Sequence, residues 1–333
     1  MRLFKKLGID LGTANTVIWA ENEGVVLNEP TIVAVGIEDR KVLAVGEEAK
    51  GMLGKTPEYI EVIRPLKDGV ISDYEVTEAM LKFFLGKVMG RNWFFGPEVM
   101  VSVPAGVTQV EQRAVMDAVL ASGAKKAYLI DEPLAAAIGA KIPVSESFGN
   151  MIVDVGGGAA EAAVIALGGV VTSKTVRIGG NRLDEAIVDY LRRKYNLVLG
   201  EQTAENIKIK IGSAIKLKRA EKMEINGRDA VYGLPKNKIV DSDEIYEAIR
   251  PFLDLILEAI RATLEVTPPE LVADIIDRGI VLSGGTSQLR NFNKLVTREI
   301  GVAAHVVREP QLCVIKGTGM AMENLETYKR AIR

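Results

Sequence analysis

The sequence of 333 residues contains one cysteine, Cys313, and one histidine, His305. A lone cysteine excludes a disulfide within the chain, and a lone histidine excludes a histidine-rich metal centre. No run of 18 apolar residues is available to cross a membrane as a helix, and no signal-peptide pattern precedes the first predicted strand. A reducing cytoplasm is the expected compartment. Charge of one sign is missing too: 42 Lys and Arg stand against 44 Asp and Glu, a net charge of -2. That balance argues against nucleic-acid binding through phosphate contacts. No Gly-x-Gly-x-x-Gly follows the first strand, and no nucleophile elbow or metal-ligand motif stands in its proper context. A dinucleotide oxidoreductase and an α/β-hydrolase are therefore not expected. The stretch Ala49-Lys50-Gly51-Met52-Leu53-Gly54-Lys55-Thr56 mimics a P-loop. However, Glu47-Glu48 precede it and Pro57 and Pro65 follow, where a P-loop needs a buried strand before and a helix after.

What is present is an ordinary globular composition, 48% hydrophobic and 26% charged. A single core stops growing near roughly 250–300 residues, so two lobes are expected. The spacing of apolar and turn residues predicts a strand, a turn at 12–15 and a returning strand over 7–20. Short strands at 31–36 and 42–46 and an irregular stretch over 47–69 follow. A helix over 75–89, a strand at 99–103, a helix over 110–122 and a strand at 127–130 come next, then a short Ala-rich helix after Glu132-Pro133. This β-α-β-α order marks a wound sheet. A boundary falls in the polar stretch 141–149. Beyond it the opening pattern returns, with strands at 151–155, 161–166 and 170–178. Helices at 181–195 and 203–218, a polar strand region at 223–240 and a helix at 243–264 follow. A strand at 279–283 and helices at 288–299 and 313–328 complete the chain.

The two halves therefore read as a duplication. Gly8-Ile9-Asp10-Leu11-Gly12-Thr13-Ala14 opens one, and Val153-Asp154-Val155-Gly156-Gly157-Gly158-Ala159 opens the other. In each, an apolar strand delivers an Asp, and a Gly follows two residues later. A glycine turn exposes backbone N–H groups as an anion nest, and two such nests facing one another would clamp a polyphosphate. Gly12, Thr13, Ala14 and Asn15 form the first candidate nest, and Gly156, Gly157 and Gly158 the second. Asp10 and Asp154 would set two carboxylates beside the phosphates. Few protein oxygens, with water and phosphate completing the shell, is the arrangement Mg²⁺ prefers.

Glu132 stands at a strand end before Pro133. It is suited either to place a water in line with a γ-phosphate or, with Asp131, to cap the following helix. Gly284-Gly285 closes a strand and would let a phosphate or an adenine approach the backbone. Glu205 and Lys208, one helical turn apart, form either an ordinary surface pair or a contact to ribose and base. Asn92-Trp93-Phe94-Phe95-Gly96-Pro97 concentrates aromatics in a chain with few of them. It is either packed under the first lobe or a greasy tip, with Lys87 and Arg91 beside it, for a lipid surface. Leu3 and Phe4 among the cations of Met1–Lys6 read either as a solvated strand start or as a weak membrane contact.

The sequence resembles the actin, Hsp70 and sugar-kinase superfamily, and within it the MreB family of bacterial actin-like cell-shape proteins. The resemblance covers essentially the whole chain. It rests on Gly8 to Thr16, Asn28-Glu29-Pro30-Thr31, Ile63 to Ile71, and Glu132-Pro133 with Ala135 to Gly139. Asp154 to Gly158 and Gly317-Thr318-Gly319-Met320 complete it. It implies an α/β actin-like (ribonuclease H-like) fold of four subdomains around a nucleotide cleft. These would be IA (1–30 and 69–141), IB (31–68), IIA (142–179 and 255–333) and IIB (180–254). It also implies ATP or GTP with Mg²⁺. Asp10 would hold the ion through water, Asp154 would be the second carboxylate beside it, and Glu132 would activate water. Gly284 and Gly285 would touch the adenosine, and Glu205 and Lys208 its ribose and base. Further implications are antiparallel double filaments and membrane contact through Trp93, Phe94 and Phe95. Partners would be RodZ-type, MreC and MreD elongation proteins and cell-wall synthases. A nucleotide-switched filament with negligible turnover, or a small-metabolite kinase of the same fold, are the rival readings. Two departures from the family pattern stand out. Ala159-Ala160 replace the usual Thr-Thr, which predicts slow hydrolysis, and Thr286 replaces a glycine, which predicts crowding at the base or an altered nucleotide preference.

Overall fold

The computed structural model describes residues 5–90, 96–329 and 331–333. Leu3, Phe4, Trp93, Phe94 and Phe95, the residues read as membrane contacts, lie outside the described residues.

The chain opens with strands β1 (Lys6–Leu11), β2 (Asn15–Ala20) and β3 (Gly24–Pro30), followed by β4 (Val33–Gly36) and β5 (Val42–Val45). Helix α1 (Glu47–Met52), β6 (Ile60–Ile63) and β7 (Leu66–Lys67) fill the stretch expected to be irregular, and β8 (Val70–Ile71) follows it. Helix α2 (Tyr74–Met89), β9 (Glu98–Val103), α3 (Gln109–Ala121), β10 (Lys126–Asp131) and α4 (Glu132–Gly139) complete the first half. The second half begins with β11 (Asn150–Val155), β12 (Ala160–Ala166), β13 (Gly169–Val176) and α5 (Gly180–Tyr195). Then come β14 (Leu197–Val198), α6 (Glu201–Ile211), the hairpin β15 (Lys222–Asp229) and β16 (Pro235–Asp241), and α7 (Ser242–Glu265). Helix α8 (Pro269–Arg278), β17 (Ile280–Ser283), α9 (Phe292–Ile300), β18 (Ala304–Val306), α10 (Cys313–Glu323) and α11 (Leu325–Tyr328) finish it.

Two five-stranded sheets carry the duplication. Their orders are β3-β2-β1-β9-β10 and β13-β12-β11-β17-β18. In both, the first three strands pair antiparallel, and the last two run parallel to the Asp-bearing strand. The central strands are buried along nearly their whole length: every residue of β11 and β12 is buried. That is why they read as mainly apolar runs rather than alternating ones. Helices α4 and α10 lie between the sheets. Their side chains share one core with Met100 and Ile130 of the first sheet and Ile152, Ala163 and Ile165 of the second. A smaller sheet, β5-β4-β6, falls within residues 33–63.

Several elements differ from the sequence expectation. Strand β3 was not expected, because its Val25 and Val26 are exposed and its apolar signal is weak. It is the counterpart of β13. Helix α8 was also not expected: only Ile275 of its ten residues is fully buried. Helix α6 ends at Ile211, short of the expected 218. Gly212 caps it, and Ala214 N–H donates to the Arg290 carbonyl at 2.8 Å, drawing the chain away. The last helix breaks at Asn324. The P-loop mimic starts inside α1, with the Lys-Thr past the end of the helix, so no helix begins where a P-loop requires one.

Candidate nucleotide site

Each Asp-bearing strand places its carboxylate by strand register. Across the hairpins Asp10 stands opposite Val17, and Asp154 opposite Glu161. On the other side the parallel neighbours supply a serine each, Ser102 beside Asp10 and Ser283 beside Asp154. Ser102 Oγ lies 3.5 Å from Asp10 Oδ1, and Ser283 Oγ donates to Asp154 Oδ1 at 2.7 Å. The duplication is thus a two-residue unit, Asp plus Ser, on adjacent strands. Glu161 breaks the symmetry, because its equivalent Val17 packs with Trp19 and Ile315.

The two glycine turns meet. A Cβ on Gly157 would stand 2.7 Å from the Ala14 side chain, and one on Gly158 would stand 2.5 Å from Thr13 Oγ1. Only glycine lets the loops approach this closely. The first loop is braced from below: Thr31 Oγ1 donates to the Gly12 carbonyl at 2.7 Å, and Gly69 N–H donates to Thr13 Oγ1 at 2.9 Å. In the second loop the carbonyls are tied back. Gly180 N–H and Asn181 N–H, at the start of α5, donate to the carbonyls of Gly156 and Gly157 at 3.0 and 2.9 Å. Thr286 Oγ1 donates to the Gly156 carbonyl at 2.8 Å. Carbonyls turned outward are the polarity an anion nest needs. Thr286 itself lines neither cavity of the cleft. Gly284 holds φ at +83°, and a Cβ there would overlap the Val155 backbone, so this turn requires glycine.

An inner cavity of about 240 Å³ is lined by Asp10, Glu132, Asp154 and Glu161, by both loops and by Gly284 and Gly285. An outer cavity of about 460 Å³ shares Thr13, Ala14, Asn15, Gly157 and Gly158 with it and extends to Arg64 and Glu205. Arg64 Nη2 reaches Glu201 Oε2 at 3.1 Å across the two halves. Glu205 lines the outer cavity, whereas Lys208 is engaged elsewhere. Its ammonium donates to Asp184 Oδ2 at 2.8 Å and to the Gly180 carbonyl at 2.9 Å, bracing α6 against α5.

Glu132 is the first residue of α4. The N-cap residue is Asp131, and it makes no capping hydrogen bond, so neither carboxylate serves as the helix cap. Burial raises the Glu132 carboxyl well above its usual range, and the charges of Glu161, Asp10 and Asp154 raise it further. Burial and the Asp154 charge push Asp10 up to about 7, and burial pushes Asp154 up to about 6. Glu161, raised chiefly by burial to about 7, was not singled out from sequence. Its Oε1 accepts from Thr175 Oγ1 at 2.5 Å and from Ala105 N–H, in the other half, at 3.2 Å, while its Oε2 is buried without a partner. Position opposite Asp154 in the duplicated hairpin is the signal that would have found it. The serines carry the same kind of signal on the parallel strands.

Four acids crowd the inner cavity, and among the described residues no basic side chain lines it. A divalent cation fits this donor set. Among the described residues no group of three or more His, Cys, Asp or Glu forms a ready-made metal cage. The fit is therefore to an ion that keeps water and takes phosphate oxygens, as Mg²⁺ does.

These shifts carry a pH dependence. A carboxyl held higher in the folded chain than in the unfolded one binds its proton more tightly when folded. Its contribution is therefore full below about pH 4, where the unfolded group titrates, and is lost as pH rises through 6 to 7. The pH dependence of melting of the nucleotide-free chain between pH 5 and 8 is expected to flatten in Asp154→Asn. Thermal melts of both proteins across that range check this, and an unchanged slope in the variant would refute it.

The MreB/Mbl protein family model matches residues 4–330. Cell shape-determining protein MreB of Escherichia coli strain K12 is 48% identical over 97% of this chain and 94% of its own length. The crystal structure of MreB 5 of Spiroplasma citri bound to AMPPNP superposes with a TM-score of 0.93 at 34% identity, covering 99% of both chains. The MamK double helical filament structure, at 23% identity and a TM-score of 0.79 over 96% of this chain and 98% of that one, shares the actin-like fold. On the match of the family model over nearly its whole length and on this identity, the chain belongs to the MreB/Mbl family of actin-like cell shape-determining proteins.

Proposed function

We propose that the chain binds ATP with Mg²⁺, assembles into filaments of paired antiparallel strands, and hydrolyses ATP slowly at the inner face of the cytoplasmic membrane. The observation that carries this reading is the half-buried Glu132 at the inner cavity, between two facing Asp-Gly turns. In this reading the turns at Gly12 to Asn15 and Gly156 to Gly158 hold the phosphates. Asp10 would hold Mg²⁺ through water with Asp154 as the second carboxylate beside it, and the bound ion would neutralise phosphate charge. Glu132 orients the attacking water and accepts its proton as the water oxygen bonds to the γ-phosphorus, the bridging β–γ P–O bond breaks and ADP leaves. Gly284 and Gly285 let the adenosine approach, and Glu205 faces the ribose, with Lys208 holding α6 in place. ATP is preferred to GTP because the Spiroplasma relative was solved with AMPPNP. The four-subdomain division, with IB around the small β5-β4-β6 sheet, follows the duplicated sheets.

Contact with lipid is assigned to Trp93, Phe94 and Phe95, with Leu3 and Phe4, and gains strength from repetition along a filament. RodZ-type, MreC and MreD elongation proteins are the proposed partners. A second reading, a nucleotide-switched filament with negligible turnover, is favoured by Ala159, whose methyl lines the inner cavity where a hydroxyl could meet the γ-phosphate, whereas Ala160 packs into the core of the second half. Sedimentation with ATP, with and without anionic liposomes, tests the assembly. The protein is expected to pellet in both cases, and a chain that stays monomeric would overturn the filament reading. Trp93→Ala with Phe94→Ala is expected to abolish liposome co-sedimentation and to leave filaments intact.

A further inference from the structure

Among the described residues, the hydrogen bonds and ion pairs of the carboxylate cluster and its neighbour Asp131 include one cation, and it comes from far along the chain. Arg333 Nη2 lies 3.0 Å from Asp131 Oδ2. The backbone holds the pair in place. Arg333 N–H donates to the Leu129 carbonyl at 3.0 Å, Leu129 N–H donates to the Arg333 carbonyl at 2.9 Å, and Ile332 bridges Ile130 antiparallel. Strand β10 is the outermost strand of its sheet, so residues 331–333 add themselves to its open edge. Ala331 and Ile332 also pack into the core that contains α4.

Asp131 ends β10 and precedes Glu132. An aspartate at an N-cap normally accepts from the N–H groups of its helix. Asp131 does not: one oxygen is taken by Arg333 and the other is buried without a partner. The residue before Glu132 is thus oriented by Arg333 rather than by the helix it begins. Released, the Asp131 carboxylate would turn to the Leu134 N–H of α4, Pro133 having none to offer, and rotate the turn that starts with Glu132.

We propose that Arg333 is a positioning residue, which holds Asp131 at the sheet edge and thereby aims Glu132 into the inner cavity. The proposal rests on the reading of Glu132 as the residue that places the attacking water. Arg333 lines neither cavity and touches no reacting atom.

The test compares Arg333→Ala and Arg333→Lys with the unchanged protein in steady-state phosphate release over a range of ATP, together with AMPPNP affinity. Arg333→Ala is expected to lower kcat about tenfold, the scale of a small misplacement of a reacting group. KM and AMPPNP affinity should stay within about twofold, because the phosphate loops are untouched. Arg333→Lys, which keeps the charge at this single contact, should restore most of kcat. A purely structural role would not produce a kcat loss that charge alone restores. Wild-type kcat in Arg333→Ala would overturn the proposal. If Arg333→Ala does not fold, Asp131→Asn replaces it and is expected to show the same kcat loss. Should the unchanged protein release phosphate no faster than Glu132→Ala, the reading of Glu132 fails by itself. Arg333 is then judged by amide exchange in the nucleotide-free chain. Faster exchange over the first turn of α4 in Arg333→Ala supports the positioning role, and unchanged exchange there overturns it.

Discussion

Glu132→Ala is expected to lower phosphate release by about 100-fold or more while leaving ATP affinity within about threefold, the range lost when a positioned acid or base is removed. Glu132 lines the inner cavity but belongs to neither glycine turn, so its removal should spare binding. The half-buried carboxyl shares the inner cavity with three other acids, and its removal also relieves like-charge repulsion. A melting temperature equal to or above that of the unchanged protein is therefore expected together with the lost activity. Phosphate release, isothermal titration with AMPPNP and a thermal melt check the three parts. Loss of binding in step with turnover would reassign Glu132 to the architecture of the cleft. If the unchanged protein already turns over at the rate of Glu132→Ala, Ala159 and Ala160 have left a switch without hydrolysis.

Gly317→Ala and Gly51→Ala are expected to move stability in opposite directions, although both replace a glycine inside a helix. Ala is the better helix former by about 1 kcal/mol, which favours both changes. At Gly51 in α1 nothing lies within 4 Å of the new methyl, so the gain should survive at up to about 1 kcal/mol. At Gly317 in α10 the methyl would overlap the Ala135 carbonyl oxygen of α4, and a methyl on Gly139 would meet the Cys313 carbonyl of α10 in the same way. The two helices cross backbone to backbone, with no flexible side chain to give way. Overpacking of this kind costs roughly 1–3 kcal/mol, or more where backbone must shift, so a net loss of about 2 kcal/mol or more is expected. Moving α10 also moves α4, whose first residue is Glu132, so turnover should fall as well. Denaturant melts of both variants decide it. A Gly317→Ala protein of unchanged stability would show that the helices separate at no cost.

The sequence carried much of this in advance, and the reason is visible in particular residues. Strands buried on both faces, such as Asn150–Val155, leave mainly apolar, non-alternating runs, and glycine turns after an Asp are visible as motifs. Both strand pairs and both glycine turns were therefore legible, as were α2, α3 and α7, where one face is apolar. Elements stabilised by neighbours rather than by their own composition were not. Strand β3 is held by pairing with β2, and α8 buries one residue fully. The Lys208–Asp184 pair joins two helices, and its partner was not visible from helical spacing.

The same division applies to the site. Sequence by itself determined the duplication, the two Asp-Gly turns, Glu132 as the acid at a strand end, and membership of an actin-like family. Each depends on residues adjacent in the chain, where local backbone geometry leaves a readable pattern. Tertiary structure alone decided which other groups join them. Glu161 reaches the cleft because it pairs across a hairpin with Asp154. Ser102 and Ser283 meet the two aspartates because they lie on parallel neighbours, and Thr286 ties back the second loop because β17 ends beside it. Arg333 meets Asp131 across 202 residues of chain. The physical reason is that burial and charge act through space. The cost of burying an acid, and the cation or hydroxyl that offsets it, depend on what the fold brings near and not on what the chain places next.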